Sequence, residues 1–389
     1  GCDGEADGPG SRVTLSGGPF LALVATAAVL GVIGAALWLP RTSRTVRGFL
    51  ARVLTQLGVS LLVVVLVAVV LNDQFTFYTD WGDLLGTNKA AGEQASGGTS
   101  PQKALEAKPS GAGLEVARPA QLAPLPSPGQ RLQNYSFTGA TSGLKGRILV
   151  ILPAGYEDPA NSARAYPVIE TFHGWPGNPE VWTQAMHIGP AIDALTAQRK
   201  IADTIVVAPQ LEFPPGTDTE CVDGGVAGPQ VETWVSRDVP DLLASTLRVR
   251  TDRASWATAG FSSGGWCSAM AAMLHPDIYG AGIVLGGYFA PEFGKAYRPF
   301  GPADPPAKRY DLLDLAQRNP PPVALWVHTS KADGLSWAST ARLLKDGRQP
   351  LSIQSVVVDG AGHRTAVWDD VLPEALTWLG RTVSGFKAP

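Results

Sequence analysis

Across 389 residues the formal net charge is −3 and the pI lies near 6.0, which excludes the basic surface that nucleic-acid binding requires. Only 17% of the residues are charged, too few for a wholly soluble chain, so part of it is expected in lipid. The reading calls for no cofactor.

Residues 1–85 are expected to form a membrane region. Within it, residues 20–39 and 53–71 are uncharged apolar runs of 20 and 19 residues. As helices each would be about 30 Å long, enough to cross a bilayer. Between the runs lie Arg41, Arg44, Arg47 and Arg52 with no acidic residue. Asp3, Glu5 and Asp7 precede the first run, and Asp73, Asp80 and Asp83 follow the second. Basic loops stay in the cytoplasm, so the expectation is a multi-pass hairpin in the cell membrane with both ends outside and lipid as its partner. A signal peptide over the first run and a buried soluble hairpin are the alternatives.

Residues 86–130 hold no aromatic residue and are rich in Ala, Gly, Pro, Ser and Gln. They read as a flexible linker that buries no core, able when extended to reach on the order of 140 Å. Residues 131–389 are long enough for one large α/β domain. Strands are predicted over 147–152, 166–172, 204–208, 256–261, 282–285, 323–328 and 353–358. Helices are predicted over 231–247, 263–274, 335–345 and 365–379. That alternation implies a mostly parallel sheet with helices on both faces, the α/β-hydrolase fold, with active groups at the carboxyl ends of the strands.

The run Gly260-Phe261-Ser262-Ser263-Gly264 is a Gly-x-Ser-x-Gly pattern between a predicted strand and a helix of small residues. Such a nucleophile elbow lifts a serine hydroxyl above the sheet edge and frees the next amide, that of Ser263, to bind an oxyanion. Asp333 follows the strand over 323–328, and His363 follows the strand over 353–358 in a glycine-flanked loop. The order Ser262, Asp333, His363 is that of an α/β-hydrolase triad. Serine is a poor nucleophile at neutral pH, so His363 would take its proton and Asp333 would orient the imidazole. Asp333 as a helix N-cap is the competing reading, with Asp359 and Asp370 also near His363. His173-Gly174-Trp175 follows the strand over 166–172, and the amide of Trp175 is the expected second oxyanion donor.

The elbow, the His173-Gly174-Trp175 loop, Asp333 and Gly362-His363 together resemble the putative-esterase family, which includes esterase D-type hydrolases and mycolyltransferases. The resemblance covers roughly residues 134–380, and the hairpin and linker are similar to those of membrane-anchored actinobacterial members. It implies a carboxylic-ester hydrolase at the outer face of the membrane that acts through an acyl-enzyme, with Ser262 as nucleophile, Asp333 as acid and His363 as base. The substrate would be an ester, such as a lipid or sugar ester of the cell envelope. Mycolyltransferases use glutamate as the acid, so Asp333 favours the esterase branch over acyl transfer to a sugar or glycolipid. A wall-binding module that keeps only the fold is the alternative of another class.

Cys221 and Cys267 both lie near the expected catalytic edge, and a disulfide between them is expected in an oxidising compartment. Asp218, Glu220 and Asp223 in the loop around Cys221 read as a solvated acidic loop, with no metal site. Trp175, Trp182, Trp266, Trp337 and Trp368 fall in or beside active-edge loops and are candidates to line a substrate groove.

Overall fold

The structure, a computed structural model, describes residues 15, 18–86, 92–114 and 122–389. The chain divides into two compact units. The smaller comprises residues 1–90 with 360–363, and the larger comprises residues 91–359 with 364–389.

In the smaller unit α1 (Gly18–Trp38) and α2 (Val46–Phe75) pack side by side. A Cβ on Gly31 would lie 2.7 Å from Leu62 Cδ1, so the absence of a side chain lets the two helices approach. The connection is short and polar: Arg52 Nε donates to Thr42 Oγ1 at 2.6 Å, and Thr45 caps α2 by accepting from Gly48 N. Helix α2 begins earlier than the apolar run that predicted it and takes in Arg47 and Arg52, because helix propensity and the Thr45 cap do not depend on hydropathy. Leucines such as Leu23, Leu54 and Leu61 stand more than 60% exposed, so little protein covers the apolar faces. Both helices are long and apolar enough to cross a bilayer.

Helix α2 ends at Thr76, which adopts a left-handed conformation (φ 51°) and donates its N–H to Asn72 O. The Asn72 side chain staples the turn that follows, accepting from Tyr78 N at 2.7 Å and donating to Tyr78 O at 2.9 Å. Asp83 then accepts from Thr79 N at 3.0 Å.

The larger unit is built on a nine-stranded sheet. Its strands are β1 (Glu93–Gly98), β2 (Leu132–Thr138), β3 (Lys145–Ile151), β4 (Val168–Phe172), β5 (Ile205–Pro209), β6 (Trp256–Phe261), β7 (Ala281–Leu285), β8 (Ala324–Ser330) and β9 (Ser352–Val358). They lie in the order β1-β9-β8-β7-β6-β4-β5-β3-β2. The six from β5 to β9 are parallel; at one end β3 pairs antiparallel with β5 and β2 antiparallel with β3, and at the other β1 pairs antiparallel with β9. Strands β4 to β8 are buried at every residue, as parallel strands covered on both faces must be. The main helices are α3 (Pro101–Glu106), α4 (Ile188–Ala197), α5 (Val239–Thr246), α6 (Ser263–Leu274), α7 (Trp337–Asp346) and α8 (Thr365–Thr382).

Helix α6 lies close to the sheet because its inner face is small. A Cβ on Gly265 would be 2.8 Å from Gly287 Cα. Ser268 ties the helix to two strands, with its Oγ donating to Ile283 O and its carbonyl accepting from Thr258 Oγ1, both at 2.9 Å. Trp182, Trp234, Trp256, Trp266 and Trp326 are each under 2% exposed. Truncation of any of them would cost about 3–5 kcal/mol.

One expectation is refined and one is corrected. The helix over 231–247 is present over 231–246, but it widens by one π-type turn at Trp234–Asp238, where Pro240 lacks the N–H that a regular ladder would use and Asp238 accepts from Thr141 N and Ser142 N. The linker over 86–130 is not a featureless tether, although its residues 87–91 and 115–121 lie outside the described residues. Residues 93–98 form β1, paired with β9 from Glu93↔Val357 to Gly98↔Ser352, and α3 buries Ala104. Strand pairing is backbone chemistry and needs no large side chain. Here it demands small ones, since a Cβ on Gly97 would sit 2.9 Å from Leu344 O and one on Gly98, at φ +72°, would sit 1.9 Å from Leu351 O.

Candidate functional site

Ser262 is the single residue between β6 and α6, at φ 57° and ψ −128°. A non-glycine residue held there costs of order 1–3 kcal/mol, and such strain persists only where the surroundings enforce it. The Ser262 N–H donates to Leu285 O at 2.9 Å, and its carbonyl accepts from Gly265 N at 2.9 Å and Trp266 N at 3.2 Å. The flanking glycines are obligatory. A Cβ on Gly260 would lie 1.8 Å from Gly264 O, and one on Gly264 would lie 2.2 Å from Phe172 O. The close approach that forbids those side chains also brings the end of β4 against the elbow, and a Cβ on Gly174 would be 3.1 Å from Ser262 Cβ. The loop carrying Trp175 therefore passes beside the serine, and Trp175 is 46% exposed. Ser263 opens α6, where the first amides have no partner within the helix.

His173, at the start of that loop, is buried and hydrogen-bonded from Nδ1 to Gly174 O at 2.9 Å, so Nδ1 carries the proton. Burial lowers its pKa and keeps the ring neutral. Its part is to fix the loop.

Asp333 lies beyond β8, two strands from β6 and at the same carboxyl edge of the sheet. It is 4% exposed. Its Oδ1 accepts from Leu335 N at 3.0 Å and its Oδ2 accepts from Ser336 Oγ at 2.6 Å, so it also stabilises the entry to α7. Of the alternative acids, Asp359 is exposed and paired with Lys331 at 2.8 Å, and Asp370 is exposed. A buried carboxylate with fixed hydrogen bonds is the better orienting group.

His363 belongs to the short segment 360–363 of the smaller unit. Along the chain it follows the end of β9 by five residues. Its backbone N–H donates to Thr76 O at 2.9 Å, and Gly360 O accepts from Thr79 Oγ1 at 2.7 Å.

Cys221 and Cys267 are joined by a disulfide with a Cα–Cα distance of 5.7 Å. It fastens the loop after β5 to α6 one turn beyond Ser263. The acidic cluster in that loop is not solvated as expected. Glu220 is 2% exposed, with Tyr288 OH donating to its Oε1 at 2.6 Å and Trp266 Nε1 donating to its carbonyl at 2.7 Å. Burial, with the neighbouring Asp218 charge, pushes the Glu220 carboxyl up to about 8, and burial pushes Asp218 up to about 6. Asp223 is spent on Thr233, whose N and Oγ1 donate to it at 3.0 and 2.7 Å. Among the described residues no group of His, Cys, Asp and Glu could hold a metal ion.

The tryptophans divide differently from the expectation. Trp182, Trp266 and Trp368 are buried and pack inward: Trp182 and Trp368 against Phe261 with centroids 5.5 and 5.0 Å apart, and Trp266 parallel to Tyr288 at 6.3 Å. They support the elbow and cannot line a groove. Trp337 is half-buried, which leaves Trp175 as the exposed indole beside Ser262.

Two buried polar centres escaped the sequence reading. His328 on β8 has neither ring nitrogen hydrogen-bonded, and burial takes its pKa down to about 4, against the pull of the Asp333 charge. At the far end of α6, Glu232 takes hydrogen bonds from Arg309, from Tyr310 OH at 2.5 Å and from His275 Nε2 at 2.8 Å. Burial alone would raise the Glu232 carboxyl, but those bonds hold it at about 2. The Glu232 centre has no short-range motif, since it is assembled from distant parts of the chain.

A strained serine on a glycine-flanked strand-turn-helix, beside the end of the next strand of a parallel sheet, defines an α/β-hydrolase of esterase type. The family described as Putative esterase matches residues 140–379, and the chain belongs to this family. A curated endo-1,4-beta-xylanase/feruloyl esterase from Xylanibacter ruminicola is 24% identical over 243 residues, which cover 61% of this chain and 30% of that protein. An uncharacterized protein from Corynebacterium glutamicum is 29% identical over 156 residues, covering 40% of this chain and 36% of that one. The chain thus spans about a third of the length of the curated relatives it matches. Among solved structures, an S-formylglutathione hydrolase from Agrobacterium tumefaciens superposes with a TM-score of 0.54 at 15% identity, covering 65% of this chain and 95% of that one. A ferulic acid esterase superposes with a TM-score of 0.52 at 18% identity, covering 64% and 97%. At such identities these structures establish the fold.

Proposed function

We propose that the chain is a serine esterase that hydrolyses carboxylic esters through an acyl-enzyme, held to the membrane by α1 and α2 with its catalytic domain, built on the nine-stranded sheet, on the outer side. The observation that carries the chemistry is the backbone of Ser262, strained on the elbow with the Gly174-Trp175 loop against it. In this reading His363 takes the Ser262 Oγ proton as Oγ attacks the ester carbonyl, and Asp333 orients the imidazole and stabilises its charged form. The N–H groups of Ser263 and Trp175 receive the negative oxygen, each worth about 3–4 kcal/mol in the transition state. Collapse expels the alcohol with a proton from His363, and a water activated by the same histidine then releases the acid. The membrane placement rests on the length and hydropathy of α1 and α2, and the sidedness on the arginines of the connection.

Fluorophosphonate labelling of the full chain beside Ser262→Ala, with hydrolysis of short and long acyl nitrophenyl esters, tests the reading. Labelling and turnover should both vanish in the variant. A folded wild type that neither labels nor turns over would overturn the catalytic reading.

A further inference from the structure

The segment 360–363 is held from outside the family fold. Two of its backbone groups are anchored by the turn that follows α2: Thr76 O takes the His363 N–H at 2.9 Å, and Thr79 Oγ1 donates to Gly360 O at 2.7 Å. These bonds bracket the segment at both ends. Two glycines, Gly360 and Gly362, stand within it, so its own backbone offers little stiffness.

The turn that supplies the anchors is itself fixed. Thr76 is held left-handed by its bond to Asn72 O, Asn72 clamps both the N–H and the carbonyl of Tyr78, and Asp83 takes the Thr79 N–H. Asn72, Thr79 and Asp83 are all buried, at 9%, 8% and 6% exposure. A threonine hydroxyl in a turn that donates to a carbonyl 281 residues away makes a specific long-range bond rather than a local cap. The family match begins only at residue 140, so the residues that supply this support lie outside the matched region.

We propose that Thr76 and Thr79 are positioning residues for His363, so that the turn leaving α2 sets the aim of the catalytic base. The proposal rests on the reading of His363 as that base. Neither threonine touches substrate. A base displaced by a fraction of an ångström loses proton-transfer efficiency while substrate binding persists, so the effect falls on kcat and leaves KM in place.

The test uses the full chain in detergent micelles. Wild type and Ser262→Ala are compared first on a nitrophenyl ester, then Thr79→Val, Thr79→Ser and Asn72→Ala. Thr79→Val keeps the shape of the side chain and removes its donor. It should lower kcat about ten-fold with KM unchanged, and slow fluorophosphonate labelling in proportion. Thr79→Ser should restore both, which a merely structural role for the methyl group would not allow. Asn72→Ala, which loosens the same turn from its other end, should reproduce the fall in kcat even if Thr79→Val fails to fold. An active wild type with Thr79→Val and Asn72→Ala both within two-fold of it would overturn this inference alone. A wild type no more active than Ser262→Ala would bring down the esterase reading and the inference with it.

Discussion

Removal of the Cys221–Cys267 bridge should destabilise the larger unit by about 4 kcal/mol. The two cysteines are separated by 46 residues, and the chain-entropy relation for a closed loop of that length gives roughly this figure at 25 °C. The loop it closes contains all of α5, β6 and the elbow, so the denatured chain regains much freedom when it opens. For a unit of this size each kcal/mol shifts the melting temperature by about 2–4 °C, which predicts a fall of roughly 8–16 °C. The assay is thermal unfolding by tryptophan fluorescence of the full chain, comparing wild type, wild type with dithiothreitol, and Cys221→Ser/Cys267→Ser. The double variant and the reduced wild type should melt together. A shift below about 3 °C would refute the reasoning, because it would mean that the bonds from Trp266 and Tyr288 to Glu220 already hold the loop.

Asp333→Asn should leave the fold intact, since the amide can still accept from Leu335 N, and lower kcat by about 10³–10⁴ in the nitrophenyl ester assay. Gly264→Ala should abolish soluble expression or activity, because its Cβ would collide with Phe172 O and His173 O; wild-type behaviour on purification would contradict the geometry. Glu170 is fully buried with Oε1 unpartnered, and burial raises its pKa well above 4.5 despite the hydrogen bond from Tyr279 OH. A raised folded-state value means its stabilising contribution is whole at pH 4 and shrinks as pH rises. Glu170→Gln should therefore gain stability relative to wild type between pH 5 and 9 in denaturant titrations, and a gap that stays constant with pH would dismiss the buried neutral carboxyl.

The central sheet and the elbow were legible because their signals are local. Strand β6 and helix α6 occupy the predicted residues, since a buried apolar strand, two obligatory glycines and a small-residue helix leave little else for that stretch to be. Strand β1 was invisible for the opposite reason: Glu93–Gly98 has no apolar period, and its fit depends on what Gly97 and Gly98 lack. Strand β2 hid in the same way, since its inward Gln133 is fully buried only by exchanging bonds with Ser127 N and O at 2.8 Å each. The tryptophans misled because residue type announces size and leaves direction unstated. Glu220 misled because acidic residues in a loop are usually wet, whereas here Tyr288 supplies a partner from 68 residues away.

The two antiparallel borders of the sheet also decide where the protein can be cut. A fragment begun at residue 140, where the family match starts, would shed both β1 and β2. It would leave the row of N–H and C=O groups along β9 that now meets residues 93–98 open to any other chain. Buried parallel strands bared in this way pair with one another, so such a fragment should self-associate into aggregates. The glycine- and serine-rich stretch that looks expendable in the sequence is what keeps the sheet from growing.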